Sequence, residues 1–311
     1  MRLSWIDWIK SICILAMVAG HMWMPRSYAI LIYTFHMPLL FMVSGYLHKN
    51  HSILHVVKSL WIPVVLISLS MLFFNIAEIS IKGGKIIDYI RNLVWLDYRD
   101  DFGSGLFTGV WFIEALFLCR IFLLFFRTYY IHVAIVCIVI MSLFPLLESD
   151  IWHYYPMRFF SCFPFVALGI WLKERQWNPS YISWKEISIG IVIFLWAWLV
   201  DGGHSLHCNS FGYSYISFFI SSVATSAILA KICIMLPECR FVTTISVGTL
   251  FILGTHSIMI EYLTPFLPGK LWNVSYFIIP ITIVLIDYFL IMFCLNHCPI
   301  LLGKIANSSV H

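Results

Sequence analysis

The sequence predicts an all-α integral membrane protein, a bundle of about ten transmembrane helices with both termini cytoplasmic. Three observations carry that expectation. Of the 311 residues, 61% are hydrophobic and only 11% are charged, where a soluble domain carries roughly a quarter. The mean hydropathy is +0.91. The apolar residues also come in runs near the length that a bilayer requires, about 20 residues per helix. Backbone groups in hydrocarbon must be satisfied within their own segment, so helices are the natural solution. A barrel would show shorter, alternating strands.

Taken in order, the candidate spans lie near 4–24, 29–47, 55–78, 106–126, 130–147, 157–173, 184–200, 213–235, 243–263 and 272–296. The first is placed like a secretory leader, but Asp7, Lys10 and His21 interrupt its apolar run and no small-residue cleavage pattern follows, so it reads as a retained span. With the N-terminus inside, the inner connections carry Lys49, Lys58, Arg127, Lys173, Arg175, Lys185, Lys231, Arg240 and Lys304. The outer ones carry Arg26, an acidic turn at Glu148–Asp150, a DGGHSLHCNSFG stretch and Lys270. That asymmetry is the positive-inside pattern. The connection over 79–105 carries four basic and four acidic side chains and reads as an outer loop or lid, with GSG at 103–105 as its joint. No inverted repeat of the transporter type is evident, and residues 1–311 read as a single membrane-embedded domain.

Nine cysteines are present, most of them inside apolar runs where they serve as small fillers rather than a disulfide framework. A net charge of +4 gives no sign of nucleic-acid binding. His48, His51 and His55 have helical spacing that resembles a metal site but lack carboxylate or cysteine support, and His204, His207 and Cys208 carry no stronger signal. No metal is expected. There is no GxSxG turn, no phosphate-cradling glycine loop and no HExxH pair, which sets aside serine hydrolases, ATP-driven machines and zincins.

The chemistry concentrates in the first hairpin, WIDWIKSICILAMVAGH followed by YTFHMPLLFMVSGYL. Eleven residues is close to three helical turns, so Lys10 and His21 share a face about 16 Å apart along the axis. Asp7 lies one turn before Lys10, and His36 is expected to open the second span just across the turn from His21. Ionisable groups in a span are expensive and usually face a protein interior or a watery cavity. Further intramembrane groups are Glu114 in VWFIEALF, Arg158, His256, Glu261 and Asp287. A histidine near its ordinary pKa suits general-base work on a hydroxyl or thiol. Glu114 and Arg158 read equally as an ion pair or a substrate contact, and Asp7 with Lys10 as a local pair. The stripe Ser214, Ser217, Ser221, Thr225 reads mainly as hydroxyls bonded back to their own or a neighbouring helix.

On these residues the chain resembles the acyltransferase-3 family of integral membrane acyltransferases, and within it the fucose-4-O-acetylase-like sugar O-acetyltransferases. Asp7, Lys10 and His21 fill the family's first-span pattern. Phe35, His36, Pro38, Phe41, Ser44, Gly45 and Tyr46 fill the second. VWFIEALF with Trp111 and Glu114, PFVALG ending at Gly169, and SVGTLFILGTHSI with His256 follow in order. Much of the family has arginine where this chain has Lys10, a point charge without the bidentate fork.

The resemblance implies transfer of an acetyl group from cytoplasmic acetyl-CoA, as co-substrate, to a sugar hydroxyl of a bacterial surface glycan or its lipid-linked precursor. The setting is a multi-pass protein in the lipid of the inner membrane. It implies catalytic roles for His21, His36 and Glu114, and donor or substrate contacts for Asp7, Lys10, Trp111, Arg158, Ser44 and His256. His21 would either deprotonate the hydroxyl or first accept the acetyl group. With no appended hydrolase-type domain before His311, the chain is expected to complete the transfer alone. Oligomeric state is open at this point. A transporter or flippase of a lipid-linked sugar is the reading from another class.

Overall fold

The computed structural model describes residues 3–22, 24–81, 110–143, 158–196, 198–199, 204–205 and 210–304. The 79–105 loop beyond Ile81, the acidic turn, and the side chains of His204, His207 and Cys208 lie outside that set. Helices dominate what is described: α1 (Ser4–Gly20), α2 (Arg26–Tyr46), α3 (Ile53–Ile81), α4 (Val110–Phe126), α5 (Tyr130–Leu143), α6 (Arg158–Glu174), α7 (Trp184–Trp196), α8 (Tyr215–Ile234), α9 (Arg240–Val247), α10 (Thr249–Leu263) and α11 (Ser275–His297). A two-residue antiparallel pairing joins His204–Ser205 to Ser210–Phe211.

Among the described residues each of the ten apolar segments overlaps a helix, and the ninth is split. Among the described residues, four helical runs are long and apolar enough to cross a membrane: Arg26–Tyr46, Trp111–Leu143, Tyr215–Ile234 and Ser275–His297. Arg240–Val247 and Thr249–Phe266, bent by 81°, make a fifth if taken as one broken span. Others are short. The 17 residues of α1 extend about 26 Å, against about 30 Å of hydrocarbon.

Helix starts follow local chemistry. Pro25 precedes α2 at Arg26, earlier than apolar patterning alone suggests, so His36 sits in the third turn instead of opening the span. At the start of α7, Ser183 N–H donates to Glu186 Oε2 at 2.7 Å and Glu186 N–H to Ser183 Oγ at 3.3 Å, a capping box. In α8 the hydroxyls of Ser221 and Thr225 donate to the carbonyls of Phe218 and Ser221, and the Ser214 hydroxyl accepts from Ser217 N–H. The hydroxyls of Ser214, Ser221 and Thr225 are thus engaged within their own helix.

The closest crossing joins α2 and α6. A Cβ built on Gly45 would stand 2.0 Å from the Val166 carbonyl oxygen, and one on Gly169 would stand 1.9 Å from that of Met42. Small residues at such crossings let two backbones touch where lipid offers no hydrophobic drive between helices. α2 then packs on α1, α6 on α4, α4 on α3, and α3 on α10, which returns to α1. These helices form a ring, and the polar residues of interest lie on its members.

Contacts fix which ends coincide. Lys173 donates to the His48 carbonyl, Arg127 pairs with Glu174 at 2.7 Å, Lys231 reaches the Ser180 carbonyl, and Trp8 the Pro237 carbonyl. The basic connections therefore gather at one end, with Tyr46. His21, His36 and His256 lie toward the other. The six cysteines of the apolar runs, Cys13, Cys119, Cys137, Cys162, Cys233 and Cys294, are buried free thiols.

Two consequences are measurable. Asp287 is wholly buried in α11, and neither carboxyl oxygen has a hydrogen-bond partner among the described residues. An unsatisfied buried polar group is a cost that an apolar side chain of similar size removes. Asp287→Val is expected to raise thermal stability by on the order of 1 kcal/mol; a lowered midpoint would show that the carboxyl is engaged.

His48, in the connection after α2, is buried, with Arg120, Arg127 and Lys173 near it. Burial first, then those charges, hold its imidazole down from 6.5 to about 4. The unfolded chain takes up a proton that the folded chain refuses, so stability falls as pH drops from 6.5 toward 4. His48→Gln is expected to flatten the change in melting temperature between pH 7.5 and pH 5.

Candidate active site

At the end of α1, Gly20 and His21 meet α2 and α10. The Tyr33 hydroxyl donates to the Gly20 carbonyl at 2.7 Å, and its ring lies edge-on to His36 with centroids 5.4 Å apart. This hydrogen bond draws His36 to the end of α1 although it sits well inside α2. From α10, the ring of His256 approaches that of His21 to 4.8 Å. Two imidazoles from the first hairpin and one from some 220 residues later thus form one cluster. His36 and His256 are buried at 3% and 1% exposure, whereas His21 is exposed.

Backbone carbonyls orient the two buried rings. His36 Nδ1 lies 2.7 Å from the Ile32 carbonyl oxygen, and His256 Nδ1 lies 2.9 Å from that of Leu253. A carbonyl only accepts, so Nδ1 carries the hydrogen in both and Nε2 keeps its lone pair. For His256 that atom is 3.2 Å from the Ser257 hydroxyl. Pro38 contributes to the local geometry of α2, because its missing N–H leaves the Thr34 carbonyl without the usual helical donor. The arrangement supplies bases of defined tautomer beside one imidazole open to a reactant.

Three turns below, Lys10, and one turn further Asp7, lie against the break between α9 and α10. The Ser246 hydroxyl donates to Asp7 Oδ1 at 2.6 Å. Lys10 donates to the Ser246 carbonyl, which also receives the Thr249 hydroxyl at 2.8 Å. A cation on the last carbonyls of a helix is favourable there, so this pair ties α1 to the joint. Ser11 adds a bond to the Val242 carbonyl at 2.9 Å. Gly248 supplies the bend: a Cβ there would meet Ile291 Cδ1 at 2.1 Å. Ser246 was not picked out from the sequence, and a serine in an apolar run offers little signal.

Glu114, Trp111 and Arg158 form a separate group on α4 and α6. Arg158 lies over the Trp111 ring, 6.0 Å from its centroid, and within electrostatic reach of Glu114. Trp111 and Glu114 are buried, as is Arg158. His51 and His55 stack on each other at 4.0 Å, in the connection after α2 and at the start of α3.

Lys10 also borders a cavity of about 290 Å³ inside the helix ring. Ser44 lines it, as does Arg120, whose Nη2 donates to Ser44 Oγ at 3.3 Å. Sequence reasoning passed over Arg120. Its signal was present, an arginine inside the apolar run LFLCRIFLLFF, of the same kind that selected Glu114.

Comparison with known protein families places these elements in a common frame. The family model described as an acyltransferase domain, that of the acyltransferase-3 family, matches residues 3–295. Comparisons with curated proteins and with solved structures give no match. The match spans the hairpin, the α4 and α6 group, the broken ninth segment and nearly all of α11. The chain belongs to the acyltransferase-3 family.

Proposed function

We propose that this chain is a multi-pass O-acetyltransferase of the bacterial inner membrane. It takes an acetyl group from acetyl-CoA and places it on a sugar hydroxyl of a surface glycan or its lipid-linked precursor. The observation that carries this reading is the imidazole cluster built around the exposed His21, with a cation-lined cavity three helical turns below it. The donor enters from the end that gathers the basic connections, and its thioester reaches up toward His21. On this reading the chain makes ten spans with both termini cytoplasmic, so that the basic connections face the donor.

In the reaction, the acceptor hydroxyl oxygen attacks the thioester carbonyl while an imidazole of the cluster takes the hydroxyl proton. The tetrahedral oxyanion collapses, the carbon–sulfur bond breaks, and the proton passes to the CoA thiolate. The acetyl group ends on oxygen and free CoA leaves. Bases with a carbonyl-bound Nδ1–H are suited to this, because the orientation that a carboxylate supplies in a triad is here supplied by the backbone. Arg158 and Glu114 orient the acceptor.

The test is thioester turnover. Membranes containing the chain, given radiolabelled acetyl-CoA, are expected to release free CoA and to label glycan, while membranes without it do neither. A transporter of lipid-linked sugars would move its substrate with no release of CoA. That outcome would overturn the acyltransferase reading.

A further inference from the structure

A second cavity, of about 390 Å³, separates α7 from the helix ring. It arises because α7 packs on α8 and, among the described residues, on no other helix to a comparable extent. α1, α2 and α6 supply the facing wall with Ile9, Met42 and Leu168, while Gly190 of α7 and Ala227 of α8 close the far side. α7 lines the space from Glu186 to Ile193, about 10 Å along its axis. Trp171 and Ile189 line it and are also exposed, so it is reached from the lateral surface of the bundle.

The lining is almost wholly apolar, and its few polar groups differ in one respect. The Tyr46 hydroxyl donates to the Trp177 carbonyl at 3.0 Å, and Glu186 accepts from Ser183 N–H in the capping box of α7. Trp5 is buried, and its Nε1 has no hydrogen-bond partner among the described residues. The indole is held in place edge-on to Tyr46 and Trp177, with ring centroids 5.4 and 6.4 Å away. An indole N–H only donates, and a buried one normally has an acceptor. Water is a poor candidate, since it needs two to four polar partners and this wall offers few. Ser226 also lines the cavity, on α8.

We propose that this cavity holds an acyl chain of a membrane glycerolipid, with the ester carbonyl of that chain accepting from Trp5 Nε1. The apolar wall suits hydrocarbon, and with Glu186 already engaged it offers no free charge to a headgroup. Trp5 stands in the second position of α1, beside Tyr46 at the end that gathers the basic connections. Tryptophan and tyrosine at span ends lie at headgroup level, the boundary where a glycerolipid carries its ester groups. The lipid fills the seam that α7 leaves open, and so joins α7 to the ring. This goes beyond the acyltransferase reading and does not depend on it.

The experiment compares lipids that differ in that carbonyl alone. The whole chain is reconstituted in nanodiscs with an equimolar mixture of dioleoyl phosphatidylcholine and its diether counterpart, and retained lipid is read by native mass spectrometry. The native chain is expected to retain ester over ether lipid by about fivefold, the value of one net hydrogen bond. Trp5→Phe keeps an aromatic ring but no N–H, and should retain both lipids equally. Ser226→Ala should keep the native ratio, because Ser226 lies beside the chain. Ala227→Phe, which fills the cavity, should reduce retention of both.

Equal retention of ester and ether lipid by the native chain would overturn the proposal. So would a preference that survives Trp5→Phe, or one that Ser226→Ala abolishes. Retention unchanged by Ala227→Phe would place the lipid elsewhere on the bundle. With a polyprenyl alcohol added to the mixture, its retention in place of glycerolipid would assign the cavity to an isoprenoid chain instead.

Discussion

Replacing His21 by alanine is expected to lower the turnover of acetyl transfer by about 10²–10⁴-fold, the range that a positioned general base contributes. The melting temperature should stay near that of the native chain. The structural reason for separating these two effects is exposure. His21 sits at the end of α1 with its side chain open, and its ring contact is to His256, so truncation leaves no buried void. The same change at His36 or His256 would remove a buried ring and orphan a backbone carbonyl, mixing stability with chemistry. Turnover measured beside a thermal melt decides the matter. Full activity in a folded His21→Ala protein would move the base to His36, whose Nε2 lone pair is already fixed by the Ile32 carbonyl.

The second large effect concerns folding. Gly45→Ala and Gly169→Ala are each expected to cost about 1–3 kcal/mol or more, the range for overpacking in a tight core. The added methyl would stand about 2 Å from a backbone oxygen of the facing helix in both cases, and backbone cannot rotate aside as a side chain can. Because the two glycines serve one crossing, the double variant should lose less than the sum of the singles. Gly20→Ala is the control, since a Cβ there meets only side-chain atoms of Ile32 and Tyr33 at 3.5 Å. Melting followed by size-exclusion fluorescence would rank the four proteins. Native-like melting of both single variants would mean that α2 and α6 do not cross as described.

These glycines also show how far the sequence reached. Gly45 is the middle residue of the SGY that carried the resemblance, and Gly169 closes PFVALG. Both were visible as letters of a pattern, but nothing in either stretch says that each exists to admit the other's helix. The same holds for SVG, where Gly248 meets Ile291 and splits what hydropathy reads as one span. Hydropathy averages over a window and records no direction, so it places apolar helices well and bends poorly.

The site divides in the same way. Asp7, Lys10, His21 and His36 stood out because ionisable groups are expensive in apolar runs, a cost readable one residue at a time. Helical periodicity then put Lys10 and His21 on one face. His256 was in hand as a candidate, but only tertiary structure seats its ring against His21 and leaves Glu114, Trp111 and Arg158 as a group of their own. Arg120 carried the same single-residue signal as Glu114, but only the tertiary structure brings it to the cavity that Lys10 also borders.

What the sequence by itself determined was the membrane setting, the helices and the identity of the unusual polar residues, because hydrophobic burial, local periodicity and the cost of intramembrane charge act along the chain. What only the tertiary structure decided was partnership: Gly45 with Gly169, Asp7 with Ser246, His21 with His256, Arg120 with Lys10 on one cavity. Such pairs are joined by packing between helices distant in the chain, and no local pattern in one strand of residues encodes the face that another helix will present.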